Sequence, residues 1–443
     1  MIISDVSSYI NDERLTGAAR GVRSTPGRTL AAGSLGIVTK TTSPEDPRGL
    51  QADAFDFDTG EITTPNPQLA RANRWALKSV VNRLLPGSRT SKCMVLRAPI
   101  PGYGLADIDL CKGHTHGKAF YQGLMACGGV WTCPVCAAKV SERRRQELKE
   151  AIRAADALKM NVHFVTLTVP HGVSDDIKVM NDCLSQALKR LSNGKYSVKN
   201  QLRAIAPDSE IHGYIRAFEV THGQNGFHPH YHILVFTDRG VTASAVGYVY
   251  RNAWIRACQL SGLPQPSLEH GVTVQDGLFA AQYASKWGLE DEMTKANAKT
   301  TKRKGLSPWG LLRAVLDEDE PDYPPQRASA LFQVYAAAFA GRRQLYWSNG
   351  LRKLLSMAPE RSDEELVKAP DDEPASVLAT FTPEQWKAIR CRRQESHLLT
   401  VAESAPSLLL TVIHSACRLG GGASGLARTT TLEGGGGTTS PIG

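Results

Sequence analysis

Hydrophobic and polar residues alternate most clearly in the middle of the chain, where they predict β-strands. His228–Phe236 alternates and ends in apolar residues, and Tyr214–Thr221 upstream is equally rich in β-formers. The residues between them, His222–Phe227, contain glycines and an asparagine, so we expect an antiparallel hairpin. A further strand is predicted at Val162–Val169, a β-branched run that ends at a proline.

Other stretches carry apolar residues every three or four positions, which predicts helices. They cover approximately 69–85, 137–160, 174–191, 241–260, 278–290, a stretch from 309, 328–356 and 383–393, with a short strand at 270–274. Antiparallel strands among helices predict an α+β fold. Outside the first helix, residues 1–85 lack periodicity, and residues after 419 are rich in glycine, serine and threonine, so we expect poor order there.

Three histidines fall on one face of the predicted central strand. Side chains alternate along a strand, so His228, His230 and His232 point the same way. The hairpin would bring Glu219 beside them. Histidine and carboxylate together bind divalent cations, so we favour a metal site over a merely solvated or hydrogen-bonded set of histidines.

A second candidate metal site lies among the cysteines. Cys133 and Cys136 form a C-x-x-C turn, Cys127 supplies a third thiol, and a structural zinc ion needs four ligands. Candidates for the fourth ligand are Cys93, Cys111, His114 and His116. A redox role for the C-x-x-C would need a thioredoxin-like βαβ context, which the pattern lacks, so structural zinc is preferred.

The charge of the chain favours an anionic partner. Lys and Arg number 52 against 43 Asp and Glu, a formal net charge of +9, which fits nucleic acid. Candidate phosphate contacts are Arg143, Arg144 and Arg145 after the cysteines, and Lys299, Lys302, Arg303 and Lys304 in a later basic stretch. The sequence shows no signal peptide and no apolar run of membrane-spanning length, so no membrane partner is expected.

The predicted helix around 278–290 carries one further candidate. On a helix Tyr283, Lys286 and Trp287 share a face, because they are three and four positions apart. Taken alone, this stripe is more typical of packing than of catalysis.

The order of these motifs resembles a known family. Cys-Gly-Gly-Val-Trp-Thr-Cys-Pro-Val-Cys is followed by Phe-Val-Thr-Leu-Thr, His-Pro-His-Tyr-His-Ile-Leu-Val, Tyr-x-x-Lys and Ser-Pro-Trp-Gly-Leu-Leu. From about Cys93 to Leu355 the chain therefore resembles the rolling-circle replication initiators of bacterial plasmids, which are HUH endonucleases. A lone His-x-His pair is common, whereas the ordered set is specific.

The resemblance implies an architecture. It is an HUH-type central antiparallel sheet flanked by helices, preceded by a cysteine zinc knuckle and followed by a helical region. The expected parts are a poorly ordered arm (1–85), a zinc-binding knuckle (86–140), the HUH endonuclease domain (141–300), a C-terminal helical region (301–358), and an acidic linker with a small helix and a disordered Gly/Ser/Thr tail (359–443).

The resemblance also assigns roles. His230 and His232 would hold a catalytic Mn²⁺ or Mg²⁺ with Glu219 as the third ligand. His228 would contact these ligands without binding the ion itself. Tyr283 matches the nucleophile, with Lys286 as its companion. In this family a cysteine stands at about the distance of Cys93 upstream of the knuckle, so Cys93 is favoured as the fourth zinc ligand and Cys111 is the alternative.

The implied activity is cleavage of single-stranded origin DNA by tyrosine attack. The enzyme would keep a 5′-phosphotyrosine, free a 3′-hydroxyl primer and later rejoin strands, working with a host helicase and polymerase in the bacterial cytoplasm. Single-tyrosine relatives often place a glutamate four residues before the tyrosine, where this chain has Phe279; Asp276, Glu290 or Asp291 could replace it, or a second strand transfer could end the cycle. Alternatives are a relaxase or a single-tyrosine transposase, a non-haem iron enzyme, and a non-catalytic zinc-containing DNA-binding protein.

Overall fold

The main sheet has five antiparallel strands. The computed structural model describes residues 54–55, 62–63, 67–277, 279–280, 283, 305–317, 321–368 and 374–417. The strands of this sheet are β7 Met160–Leu167, β8 Ile211–Gly223, β9 Gly226–Asp238, β10 Val272–Gln275 and β11 Leu345–Trp347. They lie side by side in the order β10-β7-β9-β8-β11.

The predicted histidine hairpin is the centre of this sheet, and its strands are longer than expected. β8 and β9 have 13 residues each, and only Gln224 and Asn225 form the turn. The observed turn is shorter than the expected loop because His222 and Phe227 already pair across the hairpin. Gly226 has φ +84°, and a Cβ there would lie 3.0 Å from the carbonyl oxygen of Gly172, so this position requires glycine.

The two faces of the sheet pack against different cores. Val165, Phe218 and Val235 point into the larger core, together with the Ile177–Ser192 and Ala243–Gln259 helices. The opposite face carries Phe164, Leu234 and Phe236, which pack with Leu148 and Ala151 of the Pro134–Ala157 helix. His228, His230 and His232 belong to this second face because they share its strand parity.

The helices occur close to the predicted positions. Their bounds are Pro67–Leu84, Arg89–Lys92, Pro134–Ala157, Ile177–Ser192, Val198–Ile205, Ala243–Gln259, Pro308–Ala314, Pro325–Phe339, Leu351–Leu354, Asp363–Lys368, Pro383–Cys391, Glu395–Ser404 and Leu409–Cys417, with a 3₁₀ turn at Pro406–Leu408. None of the helices in the described ranges has the length and apolar character needed to cross a bilayer.

A second, three-stranded sheet corrects the prediction for the end of the chain. β12 (Ala375–Phe381) pairs with β5 (Ile108–Gly113), which pairs with β6 (Ala119–Gln122), all antiparallel. The last three helices cover this sheet and share its core. Residues 374–417 are therefore not a linker. The acidic, proline-bearing stretch before Ala375 is followed directly by a strand, and the strand that pairs with it lies more than 250 residues upstream.

The region 301–358 is also not purely helical. The continuous helix predicted over 328–356 ends at Phe339, and Leu345–Trp347 forms the edge strand beside β8. Three residues are too few for a periodic signal, so only pairing with β8 defines this strand. Two short strand pairs complete the described elements: β1 Ala54–Phe55 with β2 Ile62–Thr63, and β3 Pro99–Ile100 with β4 Gly104–Leu105.

The α+β class with antiparallel sheets is confirmed. The described residues lie in one compact unit, Asp53–Gly443. The expected disorder of residues 1–53 and of those after 419 falls outside the described ranges, and the boundaries between the five predicted parts stay predictions.

Candidate metal and tyrosine site

A carboxylate and two imidazoles converge on the second face of the main sheet. Glu219 of β8 stands directly opposite His230 of β9, and His232 follows two residues later on the same face. Glu219 Oε2 lies 3.6 Å from His230 Nε2 and 3.5 Å from His232 Nε2. Ligands about 2.1 Å from one ion are separated by about 3.0–3.4 Å, so the three side chains fit a shared divalent cation.

Both imidazoles are oriented through their other ring nitrogen. His230 Nδ1 lies 3.1 Å from the carbonyl oxygen of His228, which can only accept, so His230 Nδ1 carries the proton. His232 Nδ1 lies 3.0 Å from the hydroxyl of Thr166, which is directly opposite on β7. The Nε2 atoms therefore turn towards Glu219, with the lone pair of His230 Nε2 available to a metal. Thr166 was not identified from the sequence.

The electrostatics keep Glu219 ionised. Burial favours its neutral form, but the neighbouring imidazoles of His230 and His232 outweigh burial and hold the pKa of Glu219 well below its usual range. A carboxylate between two imidazoles is the donor set that a divalent metal needs.

Tyr283 joins this cluster. Its hydroxyl donates a 2.6 Å hydrogen bond to Glu219 Oε1, and its ring lies 4.7 Å from that of Phe164 and 5.2 Å from that of His232. Gly277, Phe279, Ala280 and Tyr283 are helical, and Asp276 caps this helix by accepting from the backbone N–H of Phe279. Tyr283 thus combines packing, as its isolated pattern indicated, with a direct contact to a candidate ligand.

His228 has a partner that the sequence did not reveal. Its Nδ1 lies 3.3 Å from Nδ1 of His171, which follows β7 by four residues, and its ring stacks on His230 at 5.0 Å. Burial, with the neighbouring His230 and His171, lowers the pKa of His228 to about 4. The only signal for His171 was its place after the strand-ending Pro170, which carries no chemical information alone.

The four favoured cysteines form one buried cluster. Cys93 Sγ lies 3.4 Å from Cys136 Sγ and 3.7 Å from Cys133 Sγ, and Cys127 Sγ lies 3.7 Å from Cys136 Sγ. Zinc–sulfur bonds of about 2.3 Å separate the corners of a tetrahedron by about 3.8 Å, so the cluster fits a zinc ion. Cys111 lies elsewhere, in β5, with its thiol facing Gln122, and burial raises its pKa to about 11.

Local structure supports thiolates in this cluster. Backbone N–H groups of Cys127 and Gly129 point at the sulfurs of Cys93 and Cys127, respectively. Cys133 is the N-cap of the Pro134–Ala157 helix and Cys136 lies in its first turn, where the helix dipole favours negative charge. Hydrogen bonds from the neighbouring thiols lower the pKa of Cys127, whereas burial raises the pKa of Cys133 and the Cys127 sulfur raises that of Cys136.

The triple arginine is used within the protein. Arg144 is buried, with Nη1 3.0 Å from Glu147 and Nη2 3.2 Å from Asp363 and 2.6 Å from the carbonyl oxygen of Arg361. DNA contact by Arg144 is therefore a wrong prediction, because its buried guanidinium already pairs with the partly buried carboxylates of Glu147 and Asp363. Arg145 pairs with Glu142 and Arg143 donates to the Leu366 carbonyl, and their DNA contacts stay predictions.

Several predicted residues lie outside the described ranges. These are Lys286, Glu290, Asp291, Lys299, Lys302, Arg303 and Lys304. Phe279, at the position of the expected glutamate, packs on Phe164 at 5.0 Å and offers no acid.

The fold and the sites define the class of the protein, an α+β chain with two groups of side chains that could hold a metal ion. A tyrosine contacts one of these groups. A family model described as "Replication protein" matches residues 126–394, well over half of the chain. The chain belongs to this family, and the predicted relationship to plasmid replication initiators is confirmed.

Individual relatives agree. A "Protein rep" of Streptomyces lividans is 26% identical over 353 residues, which is 65% of this chain and 77% of that protein. A "Protein rep" of Lactiplantibacillus plantarum is 30% identical over 132 residues (29% of this chain, 38% of that protein), and a "Neomycin resistance protein" of Streptomyces cyanogenus is 31% identical over 140 residues (27% and 32%). No solved structure matches.

Proposed function

We propose that this replication protein is a metal-dependent, site-specific endonuclease and strand transferase that starts rolling-circle replication at a plasmid origin. The observation that carries the proposal is the 2.6 Å hydrogen bond from the Tyr283 hydroxyl to Glu219, whose other oxygen faces His230 and His232. A candidate nucleophile and a candidate metal site thus share one carboxylate. The sheet that presents them is, on this proposal, of the HUH type.

The proposed reaction exchanges one phosphodiester for another. The Tyr283 oxygen attacks phosphorus in single-stranded origin DNA, the bond from phosphorus to the 3′-oxygen breaks, and a 5′-phosphotyrosine remains. The phenol, whose pKa is about 10, gives up its proton to water as the bond forms, and the departing 3′-oxygen takes up a proton to become the 3′-hydroxyl. Glu219 Oε1 accepts a hydrogen bond from the Tyr283 hydroxyl and so orients it, while the low pKa of Glu219 makes this carboxylate a poor base for the proton itself.

A divalent ion such as Mn²⁺ or Mg²⁺, bound by Glu219, His230 and His232, would polarise a non-bridging phosphate oxygen. The chain contributes orientation: Thr166 and the His228 carbonyl hold the imidazoles, and Phe164 lies against both Tyr283 and His232. The freed 3′-hydroxyl would prime a host polymerase, with a host helicase opening the duplex in the bacterial cytoplasm.

We further propose that Cys93, Cys127, Cys133 and Cys136 hold a structural zinc ion. All four are buried and the cluster is tied to the main core by Trp131, which packs on Phe218 and Phe339. Zinc here would fix the knuckle against the sheet without contacting substrate.

The test is incubation with single-stranded oligonucleotides covering the cognate origin, in Mn²⁺ or Mg²⁺. We expect a covalent protein–DNA adduct that is lost in Tyr283→Phe and in EDTA, and kept in Tyr103→Phe, which alters an exposed tyrosine. Adduct formation by Tyr283→Phe would exclude Tyr283 as the nucleophile. Tight DNA binding without any adduct would favour a non-catalytic DNA-binding protein.

A further inference from the structure

A second group of metal-binding atoms lies beside the Glu219 site. His171 Nδ1 and His228 Nδ1 face each other at 3.3 Å, with ring centroids 4.6 Å apart. The carbonyl oxygen of Val169 lies 3.2 Å from the same nitrogen of His171. His171 Nδ1 therefore has an imidazole nitrogen and a carbonyl oxygen within 3.3 Å, and all three atoms are donors that transition metals accept.

Hydrogen bonding alone leaves this group incompletely satisfied. One ring nitrogen offers either a single proton or a single lone pair. If His171 Nδ1 carries a proton, the Val169 carbonyl oxygen and His228 Nδ1 compete for that proton. If His171 Nδ1 carries a lone pair instead, the lone pair faces the Val169 carbonyl oxygen with no proton between the two atoms. A cation among the three atoms would interact favourably with all of them.

The distances agree with coordination. Metal–nitrogen bonds of about 2.0–2.1 Å place two tetrahedral ligands about 3.3–3.4 Å apart, which matches the separation of the two Nδ1 atoms. The segment carrying His171 is also fixed: Pro170 precedes it, the Gly172 N–H donates to Asp175 at 2.7 Å, and Gly172 lies close against Gly226 of the hairpin.

The group is separate from the site already described. That site uses the Nε2 atoms of His230 and His232 with Glu219, and the two groups share no residue. We propose that His171, His228 and the Val169 carbonyl oxygen hold a second ion, a first-row transition metal such as Ni²⁺, Co²⁺ or Zn²⁺. Its remaining positions would accept water or an anionic oxygen, such as that of a DNA phosphate.

The proposal is tested by counting ions on the full chain, independently of DNA cleavage. Native mass spectrometry and calorimetric titration with Ni²⁺ would compare the wild type with His171→Asn, whose amide can still donate to the Val169 carbonyl. We expect His171→Asn to lose one bound Ni²⁺, or to bind it at least about 10-fold more weakly, the loss typical even for outer partners of a ligand. His270→Asn, which alters a histidine 76% exposed, should bind as the wild type does.

His230→Ala separates the two sites, since it should lose a different ion and keep the one that depends on His171. Crystals of the wild type soaked in Ni²⁺ give an independent readout, with an anomalous peak expected within bonding distance of both Nδ1 atoms. Unchanged Ni²⁺ binding by His171→Asn, or no peak there while the Glu219 site is filled, would overturn the proposal. A failure of strand cleavage would leave these results unaffected.

Discussion

Two hydrogen bonds orient the imidazoles of the proposed metal site at Glu219. Thr166 fixes the ring of His232 through a 3.0 Å contact to Nδ1. We expect Thr166→Val, which keeps the side-chain shape, to weaken Mn²⁺ binding about 10-fold, because the imidazole loses the partner that orients it. Thr168→Val is the matched control, since the Thr168 hydroxyl donates to the backbone carbonyl oxygen of His270 and not to a histidine ring of the site. Titration of Mn²⁺ by calorimetry measures both; equal affinities would contradict the orienting role.

Protonation of His228 gives a pH dependence to the metal-free protein. Its pKa of about 4 in the folded state lies below the value of about 6.5 for an unfolded histidine. Between these pH values the unfolded chain binds more protons, so the free energy of unfolding should fall as the pH drops from about 6.5 to 4. The lowered pKa of Glu219 adds a further loss below about pH 4.3. Urea denaturation in EDTA should show a flatter profile for His228→Asn than for His270→Asn; identical profiles would contradict this assignment.

At the scale of elements, the sequence predicted those parts whose signal is local. The β8–β9 pairing, and with it Glu219 opposite His230, follows from alternation and turn residues. The strands β11 and β12 were not predicted, because both are defined by pairing with distant parts of the chain. The three residues of β11 pair with β8 around Arg216, and β12, which follows an acidic stretch, pairs with β5 around Cys111. His171 and Thr166 were missed for the same reason, since their contacts exist only after β7 and β9 pair.

Arg144 connects two helices, whereas the sequence indicated a residue on the surface. It joins the Pro134–Ala157 helix to the Asp363–Lys368 helix through Asp363 and Glu147. We expect Arg144→Ala to destabilise the protein by about 3 kcal/mol, because it removes the buried cation that bridges Glu147, Asp363 and the Arg361 carbonyl oxygen. Glu147 would keep its pair with Arg352. Arg145→Ala, which removes a more exposed pair with Glu142, should cost less than about 1 kcal/mol. Chemical denaturation measures both, and a larger loss for Arg145→Ala would contradict the assigned role.

Over the whole molecule, the cysteine cluster links distant parts of the chain. Cys93 precedes the second sheet, Cys127 to Cys136 lead into the helix behind the main sheet, and Glu364 packs against Gly128. We expect about one tightly held zinc ion per chain, lost in Cys93→Ser and Cys133→Ser with a large fall in melting temperature, and kept in Cys111→Ser. Metal analysis with thermal melts tests this. Loss of zinc in Cys111→Ser with retention in Cys93→Ser would contradict the ligand set.

We expect Tyr283 to become covalently joined to DNA. The most direct measurement is mass spectrometry of the adduct formed by the wild-type protein with a single-stranded origin oligonucleotide, after nuclease and trypsin digestion. The expected product is a nucleotide phosphate on the tryptic peptide that ends at Lys286, with fragment ions placing it on Tyr283. A nucleotide on any other residue, or cleaved DNA carrying a free 5′-phosphate and no attached protein, would contradict it.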